Sequence, residues 1–311
     1  MNKRFLLLFA LIALFSVNST FSQGCEDEEP TTATGEVDPS KPILFGYLQT
    51  QYDYAFTNPD ASSFKFKRAR FGMRGTIEKD WGYYFMIETS PFISSTGDAY
   101  IMDAFVTWKK HNWTRVSVGS FKQPFSLDVA TPCHALPTIE RSIVANQLVA
   151  PQRDFGLMLL GGNKYNKLNY FVALMNGRGL KVSDDNKKKD IVGRATYKVA
   201  DFLTVGGSFR YGYPIPNNND DSRTSYGAEF QFKMKEFTVQ GEYIYDEGAY
   251  FAGSGGGCGS TPVELGEKRD GAYLLVMYDK WKVKPVFKYE FFDPNIDVKD
   301  IGYQERMTLG F

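Results

Sequence analysis

From Ile43 to Phe311 the chain is a succession of segments, about ten residues each, in which apolar and polar side chains alternate. Side chains along an extended strand point to opposite faces in turn, so every such segment has an oily side and a wet side. The breaks between segments fall into two alternating classes. One is very short and ends in an aromatic: Asp80-Trp81, Asn112-Trp113, Asp201-Phe202, Glu236-Phe237 and Lys280-Trp281. The other is longer and polar: Asn58 to Ser63, Asn176 to Asp190, Tyr213 to Arg223 and Ala249 to Arg269. A soluble sandwich has no reason to sort its turns by length. A sheet threaded through a bilayer has one, with short turns on one side, long loops on the other and aromatic rings at the interface.

The clearest segment is Phe64 to Glu78. One face carries Ala69, Phe71, Met73, Gly75 and Ile77; the other carries Arg68, Arg70, Gly72, Arg74, Thr76 and Glu78. Three arginines on the core face of a soluble sheet would be very costly to bury, whereas the lumen of a membrane barrel accepts them. Weaker copies of the pattern follow. Leu44, Leu48, Tyr52 and Tyr54 oppose Tyr47, Gln49, Gln51 and Asp53, and Tyr100, Met102, Ala104, Val106 and Trp108 oppose Asp103, Thr107 and Lys109. Arg194 and Arg210 fall on the polar faces of later segments. Segments around Leu157 and Leu274 are apolar on both faces and cannot be oriented from sequence. The count from Ile43 is fourteen strands, an even number that puts both ends on the periplasmic side. The connection Gln123 to Arg153, about thirty residues after the fifth strand, is too long for an ordinary loop. Its place suits a loop folded into the barrel.

The N-terminus agrees with export. Lys3 and Arg4 precede an apolar run from Phe5 to Val17, and Thr20-Phe21-Ser22 offers a cleavage site before Gln23. Residues 1–22 therefore read as a signal peptide, too short to span a bilayer as a helix. Residues 23–42 read as a polar periplasmic linker, and 43–311 as the barrel. Lipidation of Cys25 is a rival reading, opposed by Ser22 where a lipobox has an aliphatic residue. Of three cysteines, Cys133 and Cys258 could pair in an oxidising compartment. No segment has eighteen consecutive apolar residues, so no transmembrane helix is expected. The formal charge is +0; removing Lys3 and Arg4 leaves 34 basic against 36 acidic residues, and nothing points to nucleic acid.

Several stretches together resemble the phosphate-selective porin O and P family. They are Lys67-Arg68-Ala69-Arg70-Phe71 leading to Gly75 and Trp81, and Gly119-Ser120-Phe121-Lys122-Gln123-Pro124-Phe125-Ser126-Leu127. Ile139-Glu140-Arg141-Ser142, Pro151-Gln152-Arg153-Asp154-Phe155-Gly156 and Met175-Asn176-Gly177 follow in order. The resemblance implies a homotrimeric, water-filled barrel of the cell outer membrane with an inward third loop and basic residues leading anions to a constriction. It carries Arg68, Arg70, Lys122, Arg141 and Arg153 as anion-path candidates, joined by Arg74, Arg194 and Arg210 from the polar faces. It also implies sixteen strands where fourteen are counted, a difference that a missing last hairpin would explain. Phe311 nevertheless resembles the terminal aromatic that barrel assembly recognises.

Guanidinium groups stay charged and fit phosphate or carboxylate in a two-pronged fork, and rings of Arg and Lys favour anions in pores. The competing reading pairs these cations across the lumen with Asp53, Glu78, Glu88, Asp103, Glu229 and Glu242, stiffening the wall without selecting an ion. Two functions therefore stand: a passive channel for small anions, phosphate or polyphosphate among them, and a weakly selective general porin. A plugged structural or adhesive barrel is a third, with Asn217 to Asp221 at an outer loop tip. Enzyme signatures are lacking: His111 and His134 are the only histidines, and no Gly-x-Ser-x-Gly, His-Glu-x-x-His or phosphate-binding Gly-rich loop occurs. No cofactor or metal is expected; the expected partners are membrane lipid and small anionic solutes.

Overall fold

The structure is a computed structural model and describes residues 41–54, 56, 62–180, 182–250, 265–298 and 302–311. The signal and linker residues 1–40, Cys25, Cys258 and the glycine-rich tip Gly253 to Gly259 lie outside them.

Fourteen strands lie among the described residues: β1 (Ile43–Asp53), β2 (Ser63–Ile77), β3 (Trp81–Glu88), β4 (Tyr100–His111), β5 (Thr114–Lys122), β6 (Arg153–Gly161) and β7 (Leu168–Met175). They continue as β8 (Asp190–Ala200), β9 (Leu203–Gly212), β10 (Arg223–Met234), β11 (Phe237–Gly248), β12 (Lys268–Tyr278), β13 (Val286–Asp293) and β14 (Gln304–Gly310). Each is antiparallel to the next, and the sheet order is the chain order. Among the described residues no helix is long and apolar enough to cross a membrane. A short helix α1 (Ser90–Ile93) packs against β2.

Side-chain contacts show that the sheet is curled. Lys67 of β2 pairs with Glu140, and Arg68 Nη2 donates to the Ile139 carbonyl at 3.3 Å. From the far end of the sheet, Lys288 Nζ of β13 donates to the Glu140 carbonyl at 3.1 Å, and Arg306 Nη2 of β14 to the Arg141 carbonyl at 3.2 Å. In a flat sheet β2 and β13 would stand about 50 Å apart, at roughly 4.8 Å per strand. Both meet Glu140, so the sheet wraps around this stretch of the loop as a barrel.

The outer face is apolar, as the alternation requires: Leu44, Leu48, Phe71, Met73, Leu157, Val172, Phe209, Tyr226, Leu274 and Leu309 are all exposed. Trp81, Trp113, Phe202, Phe237 and Trp281 are exposed at the short turns, an aromatic girdle at one rim of the sheet. Two of these turns put a charged residue in the left-handed region, Glu78 at φ 54° and Lys235 at φ 51°.

Several strands depart from the simple alternation. Registers shift at Gln49/Thr50, Trp108/His111 and Lys198/Ala200, and Ala69 of β2, expected on the lipid side, is fully buried. β4 departs as well. Met102, expected on the lipid side with Tyr100 and Ala104, is fully buried beside Tyr84 and Met86. The register shifts between Met86 and Ile87, which pair with Asp103 and Ile101, so Met102 is the extra residue of a bulge. A bulge moves one side chain to the other face, and nothing in the alternation of β4 announces it.

Candidate pore constriction

The long connection between β5 and β6 leaves the wall at Gln123-Pro124, where proline cannot continue a ladder. It forms α2 (Leu127–Ala130), a 3₁₀ turn at Cys133–Ala135 and α3 (Ile143–Leu148) before returning at Arg153. Ser126 caps α2 by accepting from the Val129 amide, and Ser142 caps α3 by accepting from Ala145. The loop is thus a folded object with its own local signals. What fixes it inside the barrel is the wall.

Acidic wall residues meet the starts of both helices. The Glu242 carboxylate of β11 accepts from the Leu127 amide at 3.0 Å, the Asp128 amide at 3.3 Å and Ser126 Oγ at 2.9 Å. Glu290 of β13 accepts from the Ile143 amide at 2.6 Å, and within the loop Asp128 accepts from the Ser142 amide at 2.6 Å. The other end of α3 meets cations. Arg210 of β9 and Arg223 of β10 donate to the Leu148 carbonyl at 2.8 and 2.6 Å and to the Ala150 carbonyl at 3.3 and 3.0 Å. Carboxylates at helix starts and guanidiniums at helix ends satisfy the backbone groups that a helix leaves open.

Asp246 of β11 holds the cationic end together. Arg223 Nε reaches it at 2.7 Å, Arg210 Nη2 at 3.5 Å, and Arg269 of β12 pairs with its other oxygen. The Tyr250 ring lies 4.8 Å from the Arg223 and 4.9 Å from the Arg269 guanidinium carbon, and its hydroxyl donates to the Gln147 carbonyl at 2.8 Å. Burial pushes that phenol above its ordinary pKa.

Between these two charged clamps the interior is dry. Phe125, Val129, Val144, Ala145, Leu148 and Val149 of the loop are fully buried against Met175, Val192, Ile244, Tyr273, Leu275, Val286 and Phe292 of the wall. Gly271 of β12 makes room for α3, since a Cβ there would come within 3.0 Å of Val144. This explains the two segments that could not be oriented. Leu157 and Leu274 face outward, while Met158, Tyr273 and Leu275 face inward onto the loop. Their inner neighbours are apolar because the loop, not water, lies against them.

The eight candidate cations fall into separate groups. On β2, Arg68 donates to the Gln49 side chain and Ile139 carbonyl, Arg70 pairs with Glu88 at 2.6 Å and donates to Tyr47 at 2.7 Å, and Arg74 is half-buried over the Phe45 ring. Two bind the loop's own backbone: Lys122 Nζ donates to the Val129 and Thr131 carbonyls at 3.0 and 3.3 Å, and Arg141 to Thr131 at 2.8 Å and Cys133 Sγ at 3.4 Å. Arg153 pairs with Asp103 at 2.9 Å, Arg194 with Glu229, and Arg210 joins the Asp246 cluster. Glu88, Asp103 and Glu229 are therefore partners of three candidates, while Asp53 pairs with Lys65 and Glu242 serves the loop. Arg223, Arg269, Asp246, Glu290 and Arg306 are site residues that the sequence reading did not single out. Arg223 stands two before Ser225 on one face, a signal within reach; Arg269 belongs to the segment whose faces looked alike.

At its tip the loop approaches β1. His134 is exposed and its ring lies edge-on to that of Tyr47, 5.5 Å between centroids. Ala135 and Ile139 are exposed as well, whereas every residue from Ile143 to Val149 except Asn146 is buried.

An antiparallel barrel with an apolar outer belt and an inward loop seated on its own wall defines the class: an outer-membrane porin. Comparison with known proteins agrees. The family model "Phosphate-selective porin O and P" matches residues 46–224, more than half of the chain, and the chain belongs to that family. A search of curated proteins gave no match. Among solved structures it is similar in fold to an anion-selective porin from Comamonas acidovorans at 14% identity, with TM-score 0.65 over 86% of this chain and 82% of that one. OmpF of Salmonella typhi follows at 9% identity and TM-score 0.62, covering 86% and 83%. A Rh. blastica porin mutant has 13% identity and TM-score 0.54, covering 86% and 88%.

Proposed function

We infer that this outer-membrane porin passes small anionic solutes by diffusion, through a passage along the β1–β4 side of the lumen. The apolar core of the loop lies against β7, β8 and β11 to β13 and reaches β4 to β6 through Phe105, Phe121 and Met158, so water and solute are left the remaining wall. The observation that carries the anion preference is the charge of that wall. Four cations stand on it, Arg68, Arg70, Arg74 and Lys109, against the carboxylates Glu88 and Asp103, which pair with Arg70 and with Arg153 of β6; Arg68 and Arg70 are buried, and Arg74 and Lys109 are the half-buried ones a solute would meet. Excess cation lowers the entry barrier for anions in a confined space. Phosphate belongs to this class, and the protein would act as a homotrimer embedded in membrane lipid.

A second reading, a weakly selective general porin, is favoured by one observation. The guanidiniums of Arg70, Arg153 and Arg194 each lie on a carboxylate. Reversal potentials in a salt gradient across a planar bilayer separate the two. The anion reading expects a potential on the anion side that moves toward zero in Arg74→Gln. A wild-type potential near zero would leave the general porin.

A further inference from the structure

Most of the inward loop is packed against the wall, and its tip is the part that meets open space. Cys133–Ala135 form a single 3₁₀ turn. The Thr131 carbonyl just before it is held from two sides, by Lys122 Nζ at 3.3 Å and Arg141 Nη2 at 2.8 Å. Arg141 also donates to the buried Cys133 Sγ at 3.4 Å, which ties one side of the turn to the loop body. Neighbouring side chains on such a turn stand about 120° apart, so with Cys133 tied inward His134 is aimed elsewhere. It is exposed, and its ring stands edge-on to Tyr47, 5.5 Å between centroids. Tyr47 lies on the inner face of β1, alternating with the exposed Leu44 and Leu48, and its hydroxyl accepts from Arg70 of β2 at 2.7 Å. His134 therefore stands in the lumen, where the tip approaches the β1–β2 wall.

Charged groups gather around the tip from several elements. β2 supplies Lys67, Arg68 and Arg70, and β3 supplies Glu88 on Arg70. The loop supplies Glu140 on Lys67, and Arg141 with Asp128 at 4.0 Å. Lys288 of β13 and Arg306 of β14 share Glu290 and reach the Glu140 and Arg141 carbonyls. Ordinary Lys, Arg and carboxylate side chains change charge outside roughly pH 5 to 8, whereas imidazole changes it at about pH 6.5. The chain has two histidines, and the other, His111, is exposed at the end of β4 beside a short turn, edge-on to Trp108.

We propose that His134 is a specificity-determining residue of the pore, raising its preference for small anions when the imidazole is protonated. The reading rests on the passage inferred above. As imidazolium, His134 adds one positive charge at the point where the loop tip meets the wall; as the neutral ring it adds none. A charge a few ångströms from a passing ion attracts anions and repels cations together, so the permeability ratio responds to both effects. The neighbouring cations are matched by Glu88, Glu140 and Glu290, so the added charge changes the local balance rather than joining a large excess.

The test measures reversal potentials of the mature protein in a planar bilayer under a potassium chloride gradient, from about pH 8 down to about pH 5. The anion-over-cation permeability ratio of the wild type is expected to rise about threefold across that range. His134→Gln should keep the high-pH ratio throughout, His134→Lys should hold the low-pH ratio throughout, and His111→Gln should follow the wild type. An undiminished rise in His134→Gln overturns the assignment and passes the titration to a carboxylate such as Glu140. A rise lost in His111→Gln overturns it as well. A flat wild-type profile with the current intact removes the role of His134 and keeps the pore. A cation preference at high pH removes the anion reading alone, and a rise that still depends on His134 would leave this residue its role. No salt current at all removes both.

Discussion

On β2 the inward positions carry Arg68, Arg70 and Arg74, whereas on β12 they carry Gly271, Tyr273 and Leu275 below Arg269. Outside, the two strands are alike: Phe71 and Met73 on one and Leu274 on the other are exposed to the same apolar surroundings. The difference is what each inner face meets. β2 faces the passage and the tip of the loop; β12 faces helix α3. The barrel interior is therefore two environments here, one charged and bonded to the loop tip and to carboxylates, the other apolar and packed like the core of a soluble domain.

That contrast can be broken at its strongest point first. Asp246 is the shared counter-charge of Arg210, Arg223 and Arg269, and Asp246→Ala would leave buried guanidiniums without it. Removing one side of a buried ion pair costs about 3–5 kcal/mol, so thermal unfolding in detergent should show the largest loss of the series. Leu148→Ala comes next. Its side chain is fully buried between loop and wall, and the cavity should cost about 2–4 kcal/mol; Leu48→Ala, on the lipid side of β1, leaves a space that acyl chains fill and should cost clearly less. An equal loss for both leucines would contradict the dry core. Glu290→Gln should cost about 1–2 kcal/mol by weakening the contacts to the Ile143 amide and Arg306, with noisier single-channel current as α3 loosens. Arg74→Gln should be smallest in stability, within about 0.5 kcal/mol, yet should move the reversal potential. If Arg74→Gln destabilised the barrel as much as Leu148→Ala, the charged and apolar sides would not be distinct.

The sequence carried the outer half of the fold well. Lipid imposes one requirement on every strand, so Phe71, Met73, Tyr226 and Phe230 declare their face by simple alternation, and the strand count and inward loop follow. The inner half was legible only where it is charged. Around Leu157 and Leu274 the inner residues match a distant loop rather than a solvent, and local pattern holds no record of that partner. The same holds for the cations. Arg210 was visible as a lumen residue, but its bond to the Leu148 carbonyl joins positions 62 residues apart. Residue type showed that a charge faces inward, not whether it meets a solute or a backbone.

The wall groups that hold the loop lie late in the chain. Glu242 is 116 residues beyond Ser126, and Glu290 is 147 residues beyond Ile143. Closing so long a span is entropically slow, and neither carboxylate is in place until β11 and β13 have joined the sheet. The carboxylates at the two helix starts therefore join the loop only once the final quarter of the polypeptide has entered the sheet. A chain halted before β11 would keep the holds from β2, β9 and β10 but lack the carboxylates that meet the starts of both loop helices.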